Sequence, residues 1–160
     1  MADDKDVLLA MFKHYMDQGL YHQSQRATTT NIILILSGLA IGLINLDKNL
    51  EGPDDVSAAV SLIILGLFGY MWSKKYHERY AYYLQRARGY RDALNRSLPP
   101  NIDMKEINRW ADYATKQEYG RIHRLRVWRL WTTLYMLIAV SGAVILAAIG
   151  WIYLVTRILP

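Results

Sequence analysis

The hydrophobic residues of this chain gather into three runs that are separated by polar segments. The runs cover residues 27–46, 57–72 and 130–155. A helix needs about 20 residues to cross a hydrocarbon core of about 30 Å. The first and third runs reach that length, and we expect residues that flank the shorter second run to extend it. The pattern therefore predicts three transmembrane helices.

The N-terminal segment and the first connection are polar. Residues 1–26 place Leu8, Phe12 and Tyr15 at helical spacing behind an acidic first turn, which predicts an amphipathic helix that leads into the first span. Residues 47–56 hold Gly52 and Pro53 and are net acidic, so we expect a short turn there.

Helical spacing continues after the second run, through residues 73–129. Its first half carries an apolar stripe made of Tyr76, Tyr80, Tyr83, Leu84, Ala87, Tyr90 and Leu94. The run at 97–101, with two prolines, stops this helix, and Asp103 followed by Glu106 resembles a capping box that starts the next one. Two arms of about 25 residues each would return the chain to the membrane. The predicted fold is all-α, an integral membrane protein with three transmembrane helices and a long antiparallel helical hairpin.

The distribution of charge orients this fold. Residues 73–129 hold fourteen of the nineteen Lys and Arg residues against six acidic residues, a net charge of +8. Basic segments between spans stay on the cytoplasmic side. We therefore expect a cytoplasmic hairpin, with the N-terminus inside and the C-terminus outside. Because the basic residues are not spread over the chain, DNA is not an expected partner.

Few catalytic chemistries fit the residues. Cysteine is absent, which excludes disulfides, thiolate metal sites and cysteine nucleophiles. The four histidines lack metal-ligand spacing, and no phosphate-binding glycine loop or nucleophile elbow is found. We expect no enzyme, no metal and no cofactor.

Polar and small residues line one face of the first span. This stripe consists of Thr28, Asn31, Gly38, Gly42 and Asn45. Asparagines that face lipid are costly, so the stripe should face protein or water. It could line a polar path in an assembly, or it could pack helices through the Gly38–Gly42 pair and asparagine hydrogen bonds.

Arginines alternate with tyrosines in the first arm of the hairpin. Arg79, Arg86, Arg88 and Arg91 could bind a nucleotide signal or a soluble protein, because guanidinium groups beside aromatic rings hold phosphates. Alternatively, the tyrosines form the core of the hairpin and the arginines form its solvated face.

A second basic cluster lies where the chain returns to the membrane. It consists of Arg121, Arg124, Arg126, Arg129, Trp128 and Trp131. Such a cluster attracts anionic lipid headgroups.

The chain also carries features of an assembly. Three spans are too few to enclose an aqueous path, and two of them have small-residue faces. The second face is formed by Ala139, Ala143 and Ala147, with Gly142 and Gly150 nearby. We expect a homo-oligomer with cyclic symmetry. The acidic N-terminal helix could dock on the basic hairpin of its own chain or of the next.

Two sequence stretches resemble known families. HQSQRATTTN ends the N-terminal helix at residues 22–31, and SKKYHERY follows the second span at 73–80. Around 25–31 and 72–91 the chain resembles SLATT-type membrane effectors, and over most of its length it is similar to RipA-type small inner-membrane proteins. The third span departs from the two-span SLATT plan and favours the RipA-type resemblance.

The resemblance implies an oligomer in the bacterial inner membrane, an octamer on the RipA side. On the SLATT side it implies an antiphage defence effector that permeabilises the membrane when signalled. We therefore expect a channel or pore-like assembly, and the alternative is a non-conducting scaffold whose hairpin recruits a partner.

Overall fold

Helices make up almost all of the described chain. The computed structural model describes residues 4–44, 52–99, 102–119 and 127–158. They form four helices: α1 (Asp4–Ile44), α2 (Pro53–Ser97), α3 (Met104–Tyr119) and α4 (Val127–Ile158). No strand occurs within these ranges. The prediction of an all-α protein is confirmed.

Three of the helices are long and apolar enough to cross a membrane: Asp4–Ile44, Pro53–Ser97 and Trp128–Thr156. This confirms the prediction of three such helices. α1 has 41 residues and α2 has 45. At about 1.5 Å per residue, each is about twice as long as a bilayer core is thick. An apolar part and a polar part therefore share one unbroken helix in both cases.

α2 begins four residues before the predicted second span. Pro53 is its first residue, and the backbone N–H of Gly52 donates to the Asp55 carboxylate at 3.1 Å. Pro53 suits the first helical position, and Asp54 and Asp55 interact favourably with the positive end of the helix dipole. The sequence placed residues 53–56 in the connection. In the structure they form the first turn of α2. Residues 45–51 lie outside the described ranges.

A hydrogen-bonded corner joins α2 to α3. The Asp103 carboxylate accepts the Lys105 backbone N–H at 2.8 Å and the Asn95 side-chain amide at 3.1 Å. The Asn95 side-chain oxygen in turn accepts the Met104 backbone N–H at 2.7 Å. Hydrogen bonds from the Lys105 backbone and from Asn95 lower the pKa of Asp103. Asp103 thus caps α3, where the sequence placed the start of the second arm.

The second arm was predicted to end at residue 129. α3 is described as far as Tyr119, and residues 120–126 lie outside the described ranges. Trp128 and Arg129, which the sequence placed at the end of the hairpin, belong to the same helix as the third apolar run.

The chain divides into two compact units. Unit 1 comprises Met1–Gln25 and Tyr76–Val127, and in it α1 packs against α2 through aromatic rings. Tyr15 stacks on Tyr90 with ring centroids 5.3 Å apart, and His22 stacks on Tyr83 at 5.2 Å. The tyrosine stripe of α2 therefore contacts α1, whereas the sequence placed it between the two arms of the hairpin. The N-terminal part of α1 docks on the basic segment of its own chain.

Unit 2 comprises Arg26–Lys75 and Trp128–Pro160, with parts of α1, α2 and α4. Its core is formed by Ile33, Ala40, Ile44, Ala58, Leu62, Tyr135 and Ile138. Its outer surface is also apolar. Large side chains that are more than half exposed there include Ile35, Leu39, Ile64, Leu137, Val144 and Trp151. A surface of this kind suits a lipid environment.

α2 and α4 cross in backbone contact. A β-carbon at Gly66 would lie 2.5 Å from the Ala139 nitrogen and 2.6 Å from the Tyr135 carbonyl oxygen. One at Gly142 would lie 2.6 Å from the Ala59 carbonyl oxygen. Glycine is therefore required for this close approach.

The small-residue face predicted for the third span is only partly the buried one. Ala139 is buried, but Ala143 and Ala147 are exposed. Gly142, which the sequence placed near this face, is buried together with Ile138, because both fall on the side that meets α2. Gly150 is exposed.

The inward positions of α2 follow one regular spacing. Steps of four and three residues alternate through buried or half-buried Asp55, Ala59, Leu62, Gly66, Gly69 and Ser73 in unit 2 and Tyr76, Tyr80, Tyr83, Ala87, Tyr90 and Leu94 in unit 1. An average step of about 3.5 residues is the repeat of coiled coils.

Candidate functional site

The predicted stripe of the first span lies on the outside of unit 2. Thr28, Asn31, Gly38 and Gly42 are all exposed, and Asn45 lies outside the described residues. The buried face of α1 consists of Thr30, Ile33, Ser37, Ala40 and Ile44. Each described stripe residue precedes a buried one by two positions, which corresponds to about 200° around a helix. The stripe is thus opposite the face that packs within the chain.

The two glycines of the stripe have open space beside them. Among the described residues, no side chain and no backbone of another helix comes within 4 Å of a β-carbon built on Gly38 or Gly42. Gly66 and Gly142, by contrast, touch the neighbouring backbone. Within the described part of the chain, the Gly38–Gly42 pair has no helix against it.

A hydrogen bond between two spans was not predicted. The hydroxyls of Thr30 and Tyr135 lie 2.6 Å apart, and both residues are only 1 % exposed. Thr30 donates its single proton to the Arg26 carbonyl at 2.8 Å, so the Tyr135 hydroxyl is the donor to Thr30. This bond links α1 to α4 in the interior of unit 2.

Two other hydroxyls are buried in unit 2. The side-chain oxygens of Ser37 and Ser73 have no hydrogen-bond partner among the described residues. Their positions belong to the inward faces of α1 and α2. In the sequence, only the helical spacing of small residues could have indicated that these two serines are buried.

The four arginines predicted to bind a ligand are not gathered into one site. Arg79 and Arg86 share a face because seven residues separate them, whereas Arg88 is turned from Arg86 by about 200°. Arg91 donates to the Asp92 carboxylate at 3.2 Å. The structure therefore divides the arginines between two sides of α2.

Arg86 is held by aromatic side chains. Its guanidinium donates to the Tyr15 hydroxyl at 3.3 Å, and this hydrogen bond is the largest cause that raises the pKa of Arg86. The same guanidinium lies 4.6 Å from the centroid of the Tyr82 ring, a cation–π distance. Arg86 thus helps to fasten α1 to α2.

The basic cluster predicted to bind lipid is described only in part. Arg121, Arg124 and Arg126 lie outside the described residues. Arg129 is exposed, and its guanidinium lies 5.8 Å from the ring centroid of Trp128. Trp131 is partly buried against the core of unit 2. Of the two tryptophans, Trp128 is therefore the one next to an exposed cation.

α3 carries an apolar face that the structure leaves uncovered. Ile107 is 60 %, Trp110 71 % and Tyr113 62 % exposed. Of the described α3 side chains, only Met104 and Ala114 are half-buried. Ile107 and Trp110 lie three residues apart, at helical spacing. Their exposure is a property of the three-dimensional arrangement that helical spacing does not predict.

Metal chemistry finds no support in the described ranges. No group of three or more His, Asp or Glu side chains lies close enough there to hold an ion. His22 is buried among aromatic rings, and its Nδ1 atom has no hydrogen-bond partner within the described residues.

Comparison of the chain with protein-family models, with curated proteins and with solved structures finds no match. The resemblance to SLATT-type and RipA-type proteins therefore stays an expectation from the sequence.

Proposed function

We propose that the protein is a homo-oligomer of the bacterial inner membrane that forms a channel or pore-like assembly. The observation that carries the proposal is the outward position of the α1 stripe. Asn31, Gly38 and Gly42 are exposed on the side of α1 opposite its packed face.

An uncovered amide is unfavourable in a bilayer. A polar group of this kind, without a hydrogen-bond partner, costs about 2–7 kcal/mol in an apolar environment. The Asn31 side chain therefore needs water or another protein chain beside it. The open space at Gly38 and Gly42 permits the close approach of another helix.

The arrangement of one chain also favours an assembly. The described core of unit 2 consists of packed, mostly apolar side chains, and such a core does not suit an aqueous path through a single chain. A path requires the outer faces of several copies. Cyclic symmetry fits best, because all copies share one orientation in the membrane.

The net positive charge of the segment 73–129 supports an orientation in which the N-terminus and the polar halves of α1 and α2 lie in the cytoplasm. A nucleotide or soluble protein that acts on Arg79, Arg86, Arg88 or Arg91 would gate the path from that side. The resemblance to SLATT-type effectors supports this signal-gated, membrane-disrupting form of the proposal.

Flux through reconstituted vesicles tests the path. Asn31→Leu, alone and with Asn45→Leu, removes the amides that would replace ion hydration. We expect release of an encapsulated ion to fall several-fold while the mass of the oligomer stays unchanged. Ile32→Leu is the matched control, because Ile32 is exposed at the neighbouring position. Unchanged flux in the double variant would show that the stripe does not line the path.

A non-conducting scaffold is the second candidate. The exposed apolar face of α3 favours it, because such a face can recruit another protein. Replacing the three apolar runs with unrelated spans that still oligomerise would preserve the activity of a scaffold. The same replacement of the spans would abolish the activity of a channel.

A further inference from the structure

The positive charge in the described part of unit 1 is concentrated on α2. Residues 76–97 hold five arginines against two acidic residues, whereas residues 4–25 and residues 102–119 each hold one more acidic than basic residue. Asp92, one of the two acidic residues of α2, is bonded to Arg91. This part of α2 is therefore a net positive helix, and such a surface attracts anions.

Two of these arginines share an exposed face with a tyrosine. Tyr82 follows Arg79 by three residues and precedes Arg86 by four, and all three side chains are exposed. Residues at these spacings are neighbours on a helix surface. The Arg79–Tyr82–Arg86 face thus places an aromatic ring between two basic residues, whose Cα atoms lie about 10 Å apart along the helix.

The side chain of Arg86 is held in one orientation. Its Nη1 atom donates to the Tyr15 hydroxyl at 3.3 Å, and its guanidinium carbon lies 4.6 Å from the centroid of the Tyr82 ring. Tyr15 is in turn stacked on Tyr90, with ring centroids 5.3 Å apart. An arginine loses rotamer entropy when a ligand immobilises it. At Arg86 these contacts have already removed part of that cost.

One edge of the Arg86 guanidinium is not used by the bond to Tyr15. Nη1 makes that bond, and Nε and Nη2 form another edge. Two parallel N–H groups of this kind bind two oxygen atoms of one phosphate, a strong and geometrically specific form of hydrogen bonding. The Tyr82 ring lies against the flat side of the guanidinium, so it does not block this edge.

We propose that the Arg79–Tyr82–Arg86 face binds a phosphate ester, with Arg86 as its bidentate donor and Tyr15 as the residue that positions Arg86. The inference rests on the proposed function, because it names the chemical class of ligand that acts on these arginines. A soluble nucleotide and a lipid headgroup both carry this chemistry.

Binding of the phosphate would be coupled to the packing of α1 on α2. The Tyr15 hydroxyl belongs to α1, and it orients the guanidinium of α2 that receives the ligand. A ligand that binds the oriented arginine more tightly shifts the protein toward the state in which α1 and α2 are fastened together. By the same linkage, a loosened α1 weakens the affinity for phosphate.

Binding of inorganic pyrophosphate tests the site. Isothermal titration calorimetry measures the dissociation constant for the full-length protein in an uncharged detergent at constant ionic strength. We expect Arg86→Gln to weaken binding about tenfold, because a bidentate, charge-assisted contact is lost. Tyr15→Phe keeps every charge and should weaken it several-fold. Arg109→Gln, at an exposed position of α3, removes the same charge as Arg86→Gln and is the matched control, with a change of less than about twofold.

Four results would overturn the inference. They are no binding of pyrophosphate, equal losses in Arg86→Gln and Arg109→Gln, an unchanged dissociation constant in Tyr15→Phe, and equal affinity for a short glutamate peptide of similar net charge. The second would show a response to net charge alone, and the fourth would indicate an acidic protein partner. The peptide comparison uses the unchanged chain, so it decides even if a variant does not fold.

The source of the phosphate is identified in lipid nanodiscs. The Nε–H resonance of Arg86 should shift when phosphatidic acid replaces part of the phosphatidylcholine, if a lipid headgroup binds. It should shift only on addition of adenosine triphosphate if the ligand is a soluble nucleotide. A resonance that responds to neither would overturn the inference.

Ion release from vesicles separates this inference from the proposed channel. Flux without pyrophosphate binding would remove the phosphate site and leave the channel. Pyrophosphate binding without flux under any of these conditions would support the site and remove the channel.

Discussion

The hydrogen bond between Thr30 and Tyr135 is asymmetric. Thr30 donates to the Arg26 carbonyl and accepts from Tyr135. If the Tyr135 hydroxyl is removed, Thr30 keeps a partner. If the Thr30 hydroxyl is removed, the buried Tyr135 hydroxyl loses its acceptor.

Substitutions at the two positions should therefore differ in cost. We expect Tyr135→Phe to lower the free energy of unfolding by about 0.6–1.7 kcal/mol, the range for bonds between membrane helices. Thr30→Val should cost more, about 1–3 kcal/mol, because an unsatisfied hydroxyl stays buried. The double variant should cost less than the sum. Unfolding in mixed micelles by titration with a denaturing detergent measures all three, and equal single costs would contradict the assignment of donor and acceptor.

The sequence alone could not select Thr30. Thr28, Thr29 and Thr30 are identical residues in a row, and the residues that flank them do not distinguish one from another. The side of α1 that meets α2 and α4 decides which of them is buried, and packing over long sequence distances determines that side. The exposed stripe was easier to predict, because its residues differ in polarity from the rest of the span.

At the scale of helices, glycines in two spans have opposite environments. Gly66→Ala would place a methyl group against the backbone of α4, and overpacking of this kind costs about 1–3 kcal/mol or more. Gly38→Ala meets open space within the chain and should leave the stability of the monomeric chain unchanged. Detergent unfolding at a concentration that keeps the chain monomeric compares the two. Equal destabilisation would show that Gly38, like Gly66, packs against a helix of its own chain.

The corner between α2 and α3 should respond to acid. Its hydrogen bonds lower the pKa of Asp103 below the ordinary aspartate value. The stabilisation by this cap is therefore complete above the ordinary pKa and is lost as the pH falls through the lowered one. The amide resonance of Lys105 should titrate with a midpoint below the ordinary aspartate range. Asp103→Asn keeps an acceptor oxygen and should remove this titration, and a midpoint at or above the ordinary value would contradict the cap.

Helix ends were predictable where local chemistry sets them. Asp103 was placed at the start of α3 because its carboxylate can bond to the first turn. The start of α2 was placed too late, because Gly52 and Pro53 also form turns. The exposure of the α3 face was not predictable, since it depends on which helix occupies the tyrosine stripe.

For the whole molecule, the sequence was sufficient to predict three apolar helices and their continuation into polar segments. It did not predict that α1, rather than α3, packs on the tyrosines of α2 in unit 1. Both α1 and α3 have an apolar stripe at helical spacing, so periodicity alone does not choose between them. The ring contacts of Tyr15 and His22 make the difference.

The regular spacing along α2 also limits how its length can change during evolution. From Asp55 to Leu94 the inward residues follow steps of four and three without interruption. One inserted residue would turn every later side chain by about 100°, whereas seven return it to within about 20° of its face. We expect the length of this helix to differ among homologues by multiples of seven residues.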